Sequence, residues 1–393
     1  MLAIIQTHPV QYHAPVWRHL QQVCGVPVTA IYGSDFSVVG YKDQDMNVDL
    51  AWDASLLAGY RHEFLSHVAA GGAKNDREVS TAGLGAALRR IQPRAILLSG
   101  YWPRFCSEAF LAAWCTGVPL LFRGETTDLG KPRSAGKAMV RDVLLRVFYR
   151  RFAGLLYVGE RSRQHFHRLG VGSRSSFFSP YSVDVSPMRT DEVARAELRP
   201  VCRQELALEP DQMVVMFCGK LYGHKRPDDL VAAARELPEA MRARLVLLLV
   251  GDGMMAEDLK RQAAAVPSLT LRHVGFQKQR DLSRFYHAAD MLALPSLGET
   301  WGLVVNEALH HGLPVVVSDT VGSAPDLVES GRTGEVFPVG SRVGLAKAIR
   351  RVAERAGRAE IRELCRAKVA DYSVAHAAEG IAAAYRAVGG GTS

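Results

Sequence analysis

The sequence predicts an α/β protein built from two successive parallel sheets, each covered by helices. Three observations carry this reading. The 393 residues exceed what one core accommodates and point to two or three domains. Short apolar runs alternate with helical patterns in both halves of the chain, the pattern of strand–helix–strand units. Most of these runs are nearly continuous, as expected for strands buried on both faces.

In the first half the expected strands are 2–6, 26–32, 95–99, 119–123 and 154–158, with helices near 85–91, 108–115 and 137–151. In the second half they are 214–219, 244–250, 269–274, 291–295, 315–318 and 335–337, with helices near 226–235, 257–265 and 302–311. Pro180 and Pro187 bracket a polar segment at 181–189, the expected boundary. This gives a first domain over 1–185, a second over 186–375, and a C-terminal helix and tail over 376–393 that is free to cross back to the first domain. The last helix, about 375–388, is rich in alanine and stops at the glycines 389–391.

Composition narrows the function classes. With 48% hydrophobic and 22% charged residues, the chain buries enough apolar surface to fold, which excludes a disordered protein. The longest strongly apolar run, 245–250, is far short of the ~20 residues of a membrane-spanning helix. The first ten residues lack the basic start of a signal peptide. Six cysteines without a CxxC pair or metal-ligand spacing suit reduced thiols, and a cytoplasmic location is expected.

The net charge of +8 is concentrated. Between Tyr101 and Phe178 there are 13 Lys/Arg against 5 Asp/Glu, so this stretch carries the whole excess. Such a surface attracts phosphates, anionic head groups or nucleic acid, but no nucleic-acid recognition motif is present and no such partner is expected. Within the 137–151 helix, Met139, Val140, Val143, Leu144, Val147 and Phe148 form an apolar arc flanked by Arg141, Arg146 and Arg150. Two readings stay open: a helix packed on its sheet, or peripheral attachment to the inner face of an anionic membrane.

Open parallel sheets bind ligands outside the carboxyl ends of their strands, so the motifs are read at strand ends. The segment from Ser296 to Leu309 follows the strand 291–295 and opens a helix. Its backbone N–H groups near Thr300, Trp301, Gly302 and Leu303 form an anion site of the helix N-terminal kind. Gly298 and Gly302 permit close approach of a ligand. Glu299 and Glu307 flank that site, and carboxylates beside a phosphate are suited to hydroxyls of a ribose or sugar. Taken alone they also read as a helix cap and a solvated helix residue. After the strand 214–219 come Gly219, Lys220, Lys225 and Pro227, a glycine turn with two lysines suited to phosphate, or else a solvated basic loop.

With these elements together, the second half resembles the nucleotide-binding domain of retaining glycosyltransferases of the GT-B fold, the group 1 (family 4) type with the E-x7-E signature. The spacing of Glu299 and Glu307 matches that signature, and Gly219-Lys220-Leu221 with Lys225 is similar to the family's phosphate loop, with lysine for its usual arginine. The segments 248–253, 274–276, 289–296, 312–319 and 331–334 are similar as well, and 180–184 resembles the stretch that closes the first domain. The likeness is strong over 214–339 and weak in the first half.

The resemblance implies two Rossmann-like domains facing each other across a cleft. It implies transfer of a sugar from a nucleotide-sugar donor, a UDP-sugar favoured, to a hydroxyl acceptor (a glycan, a lipid-linked intermediate or a small metabolite), with retention of configuration. Lys220 and Lys225 would hold the diphosphate, Glu307 the ribose, Glu299 the donor sugar, and the amides of 300–303 the leaving group; Phe276 and Gln277 would lie beside the base. Cations and helix amides stabilise a departing diphosphate without a metal. The only D-x-D string, Asp43-Gln44-Asp45, sits in a polar loop with no strand-end context, so no metal or other cofactor is expected.

On the acceptor side the candidates are His8, Gln11 and His13 after the first strand, Tyr101 after 95–99, and Arg123 after 119–123. A catalytic role is considered for His8 and Arg123, and a structural one for each. The family's glycines are missing from the 7–13 loop, and Arg123 stands where relatives have histidine. An oxidoreductase would need G-x-G-x-x-G, which neither Gly83–Gly85 nor Gly251–Gly253 completes. A non-catalytic nucleotide-sugar-binding protein is the remaining alternative.

Overall fold

The computed structural model describes residues 1–43, 48–50, 55–128, 134–172 and 175–389. The chain divides into two compact units, the first comprising 1–42, 49–182 and 372–393, the second 43–48 and 183–371.

In the first unit β1 (Leu2–Gln6) and β2 (Val28–Tyr32) are followed by a separate two-stranded pair, β3 (Tyr41–Asp43) and β4 (Val48–Leu50). Then come β5 (Arg61–Phe64), β6 (Ala95–Ser99), β7 (Leu120–Arg123), β8 (Gly154–Tyr157) and β9 (Ser176–Phe178). Seven strands pair in the order β5-β2-β1-β6-β7-β8-β9, all parallel. The second unit has β10 (Met213–Cys218), β11 (Leu245–Val250), β12 (Thr270–His273), β13 (Met291–Leu294), β14 (Val315–Ser318) and β15 (Gly334–Phe337), in the parallel order β12-β11-β10-β13-β14-β15. In each sheet the third, second, first and fourth strands therefore lie side by side. This is the doubly wound order, and its reversal between the first and fourth strands opens a ligand crevice at their carboxyl ends.

Alternation within the strands builds the two faces of the first sheet. Ala3, Ile5, Ile96 and Leu98 join one core, while Leu2, Ile4, Ala95 and Leu97 join the other. That second core also contains Ala377, Ala378, Ile381, Ala382 and Ala384, so the C-terminal helix Val374–Gly389 belongs to the first unit and covers one face of its sheet. Small side chains let it come close. At Gly380 a Cβ would stand 1.8 Å from the Phe178 carbonyl oxygen, so no larger residue fits without moving the helix off β9.

The apolar runs expected to be strands are strands, with ends shifted by a residue or two, and β10 to β15 follow the expected series. The sequence did not reveal β5. Its residues Arg-His-Glu-Phe have no apolar run because it is the sheet's edge, with Arg61 and His62 exposed. The helix expected at 108–115 starts earlier, at Arg104, after a cis Trp102–Pro103 bond.

Candidate functional site

In the second unit the crevice lies between the ends of β10 and β13, which pair directly. The loop after β10 carries Gly219, Lys220, Tyr222, His224 and Lys225; the loop after β13 carries Ser296, Gly298 and Glu299 and leads into the helix Leu303–His310. The two loops are stitched together. The Leu297 N–H donates to the His224 carbonyl at 2.9 Å, and His224 Nε2 donates to the Gly298 carbonyl at 2.7 Å. Lys225 Nζ forms an ion pair with Glu299 Oε1, which also accepts from Ser296 Oγ at 2.8 Å. Lysine and acid are 22% and 13% exposed, so the pair sits at the rim of the crevice with a face open to a ligand.

Glycines make these loops possible where backbones touch. A Cβ on Gly251 would stand 2.0 Å from the Gly219 carbonyl oxygen, and one on Gly253 2.5 Å from that of Leu221. The incomplete G-x-G at 251–253 is thus explained by two strand-end loops running against each other. The loop ahead of the 303–310 helix is fixed in the same way. Gly322 and Ser323 donate their amides to the carbonyls of Glu299 and Trp301, and a Cβ on Gly322 would lie 2.0 Å from the Thr300 carbonyl oxygen. Gly302, at φ 92°, makes the turn into the helix. The Trp301 indole points away into the core, donating to Asn306 Oδ1 at 2.8 Å, so this residue offers the site its backbone. Amides of the first turn have no carbonyl within the helix to bond.

Glu307 lies one turn into that helix and is 3% exposed. Tyr286 donates its hydroxyl to Glu307 Oε2 at 2.7 Å. Burial pushes the carboxyl up to about 7, against this hydrogen bond, which lowers it. Burial, and then the neighbouring Glu307, push the Cys218 thiol up to about 12, which keeps it inert. Phe276 and Gln277 follow the edge strand β12, two strands from β10 and hence about 10 Å along the sheet. The Phe276 side chain is 40% exposed, and Gln277 Nε2 donates to the Val274 carbonyl at 2.7 Å.

The first unit furnishes the equivalent strand ends differently. Trp17 Nε1 donates to Gln6 Oε1 at 3.3 Å, so the Gln6 amide nitrogen, 2.7 Å from His13 Nδ1, must be the donor to it. His13 therefore carries its proton on Nε2, which is buried and has no hydrogen-bond partner. Burial, then the Arg123 charge, then His8, lower its pKa to about 3; burial lowers that of His8 to about 4. His8 Nδ1 lies 2.9 Å from Thr7 Oγ1, and its ring packs on Phe36.

Arg123 is 3% exposed. Its Nε donates to Ser179 Oγ at 2.9 Å and its Nη2 to the Pro180 carbonyl at 2.8 Å, with the guanidinium over the Tyr181 ring. Tyr181 in turn donates to Glu125. Through these contacts Arg123 holds the 179–181 segment against β7. Gln11 is half-buried beside His13 in the chain, and Tyr101 is 36% exposed.

Sequence reasoning missed Ser296, His224 and Tyr286. Ser296 and His224 stand within the quoted loops, so proximity was a usable signal; Tyr286 is 21 residues from Glu307 and had none. Asp43-Gln44-Asp45 falls outside the residues whose side chains are described. Among the described residues, no group of three His, Cys, Asp or Glu has a metal-holding arrangement, and no helix is long and apolar enough to cross a membrane. All six cysteines are free thiols. A cavity of about 570 Å³ opens at the amino ends of β10 and β11, beside Met213 and Arg244, away from these loops.

A doubly wound sheet with cations, acids and a helix N-terminus at its reversal point defines the second unit as a Rossmann-like α/β domain of the ligand-binding kind. More particularly, residues 199–367 match the model of the family described as glycosyl transferases group 1. A D-inositol 3-phosphate glycosyltransferase of Nocardia farcinica is 34% identical over 224 residues, 52% of this chain and 47% of that protein. One from Mycobacterium sp. (strain KMS) is 39% identical over 139 residues, 35% of this chain and 31% of that protein. The chain thus matches about half, or less, of the length of these relatives.

Solved structures extend the likeness of fold to the whole chain. The sucrose-phosphate synthase of Thermosynechococcus elongatus has a TM-score of 0.73 at 17% identity, covering 100% of this chain and 99% of that one. Anabaena HepE in complex with UDP-glucose has a TM-score of 0.64 at 16% identity, covering 97% and 98%. The fold is therefore the two-domain glycosyltransferase fold expected from the sequence.

Proposed function

We propose that this protein is a retaining, metal-independent glycosyltransferase that moves a sugar from a nucleotide-sugar donor to a hydroxyl acceptor. The observation that carries the reading is the Lys225–Glu299 pair in the strand-end loops, with buried Glu307 in the helix that follows, within the segment that matches the group 1 glycosyl transferase model. Glu307 accepts from the ribose hydroxyls and Glu299 from hydroxyls of the donor sugar. Lys220, Lys225 and the amides of 300–303 bind the diphosphate. Phe276 offers a ring face to the base, with Gln277 next to it.

In the reaction the bond from the anomeric carbon to the diphosphate oxygen breaks and one to the acceptor oxygen forms. The acceptor's proton passes to the departing phosphate. Charge grows on the leaving group, and the two lysines and the helix amides meet it there. In the first unit the buried Nε2–H of His13, which lacks a partner, is suited to donate to a substrate hydroxyl. His8, with its pKa near 4, is neutral at physiological pH and acts as a polar contact. A UDP-sugar is favoured because HepE, a neighbour in fold, is described in complex with UDP and UDP-glucose.

The test is turnover of UDP-sugars with excess EDTA, the anomeric configuration of the product being read by proton NMR. The expected result is an unchanged rate with EDTA and retained configuration. Inversion, or loss of activity on chelation with recovery on adding manganese, would contradict the proposal.

A further inference from the structure

The helix Ala135–Tyr149 has two faces of opposite character. Leu145 and Tyr149 are buried against the sheet. Met139, Val140, Val143, Leu144 and Val147 are 66%, 57%, 55%, 65% and 49% exposed. At about 100° per residue they form a ridge about 140° wide along the helix. Five large aliphatic side chains left on one helix face are far more than the scattered apolar residues of an ordinary surface.

The ridge continues onto neighbouring elements. Phe148 packs on Phe110 of the helix Arg104–Trp114 with ring centroids 4.7 Å apart, and Phe110 stacks on Trp114 at 6.3 Å. Tyr101 meets Phe148 edge-on at 6.2 Å. Leu111, Trp114 and Trp102 are themselves 54%, 47% and 77% exposed. Aromatic side chains with a polar N–H at the margin of an aliphatic ridge suit the boundary between lipid tails and head groups.

Charge selects the occupant. Lys137, Arg141, Arg146, Arg150 and Arg151 accompany the ridge, against Asp142 alone within the same stretch. Asp142 is bound by Arg168, and Asp128 nearby by Arg168 and His165. Glu108 on the adjacent helix is paired with Arg104. Arg141 lies 3.7 Å from Asp142 and 3.9 Å from Asp128, and Arg151 covers the Trp114 ring at 5.0 Å. The carboxylates are thus already engaged by cations. A second copy docking here would bring arginine against arginine across a two-fold axis. An anionic surface neutralises them, while their long stems let the charges reach outward past the apolar ridge.

We infer that this face of the first unit docks on an anionic lipid bilayer, with Met139, Val140, Val143, Leu144 and Val147 entering the head-group boundary and the basic residues contacting phosphates. The inference needs no assumption about glycosyl transfer, since it concerns a surface that the donor site does not use.

Cosedimentation with vesicles of phosphatidylcholine, and of equimolar phosphatidylcholine and phosphatidylglycerol, tests it on the full chain without donor. The wild type should bind the anionic vesicles at low salt and the neutral ones about tenfold less, and added salt should release it. Lys137→Glu with Arg150→Glu, and separately Val143→Asp with Leu144→Asp, should each lower binding about tenfold or more while the melting temperature and UDP affinity stay unchanged. Equal binding to both vesicles, no binding at low salt, or full binding by the aspartate variant would overturn the inference. So would a wild-type dimer in gel filtration that Val143→Asp with Leu144→Asp turns into a monomer.

Discussion

The two sheets open the same crevice between their first and fourth strands, and the two crevices are furnished in opposite ways. In the second unit the strand ends carry charged groups: partly exposed Lys225 paired with Glu299, and buried Glu307 with a carboxyl raised to about 7. In the first unit the strand ends carry neutral histidines, and the Arg123 guanidinium is occupied by the Ser179 hydroxyl and the Pro180 carbonyl. One topology supplies a ligand crevice twice; which side chains stand at its rim, and which are already occupied, decides what chemistry each can do.

The largest effect that would sharpen this contrast is on turnover. On the proposed function, Lys225→Ala removes a cation from the developing charge of the leaving group and should lower kcat about a hundredfold in steady-state assays with a UDP-sugar. Lys220→Ala should act in the same direction. Normal turnover in both variants would break the contrast by removing the phosphate site from the second unit.

A smaller effect, of another kind, is expected in the first unit. Arg123→Met leaves the Ser179 hydroxyl and the Pro180 carbonyl without their donor, a loss of about 1–3 kcal/mol, read as a melting temperature lower by a few degrees. UDP affinity should be unchanged, and Arg123→Lys should not restore stability because one ammonium cannot span both partners. A variant with wild-type melting and a tenfold weaker donor would mean that Arg123 belongs to the substrate site.

Most of the fold was legible in the sequence because parallel strands buried on both faces write themselves as apolar runs, as in Leu245–Val250. The edge strand β5 does not, since its first residues face water and no run is needed. At the crevice of the second unit the acids and lysines were visible because they cluster in two strand-end loops. Tyr286 was not, since its bond to Glu307 joins two helices 21 residues apart in the chain. Arg123 was visible as a residue, but its occupant was not. Whether a strand-end cation faces a ligand or a carbonyl depends on a segment more than 50 residues away, which no local pattern reports.

The central claim is that Glu307 is the ribose acceptor of a nucleotide-sugar site. UDP-glucose suits the test because its diphosphate is esterified at both ends and does not titrate near neutrality. With the Glu307 carboxyl raised to about 7 by burial, the free protein holds a proton there at lower pH and stability declines as pH rises from the ordinary carboxylate range towards 7. Ribose hydroxyls donate to the carboxylate, so binding expels that proton and grows stronger as pH rises. Calorimetric titration should give affinity about tenfold higher near pH 8 than near pH 6 in the wild type. In Glu307→Gln it should be weaker at the higher pH and independent of pH. Equal affinity and equal pH dependence in the two proteins would contradict the assignment.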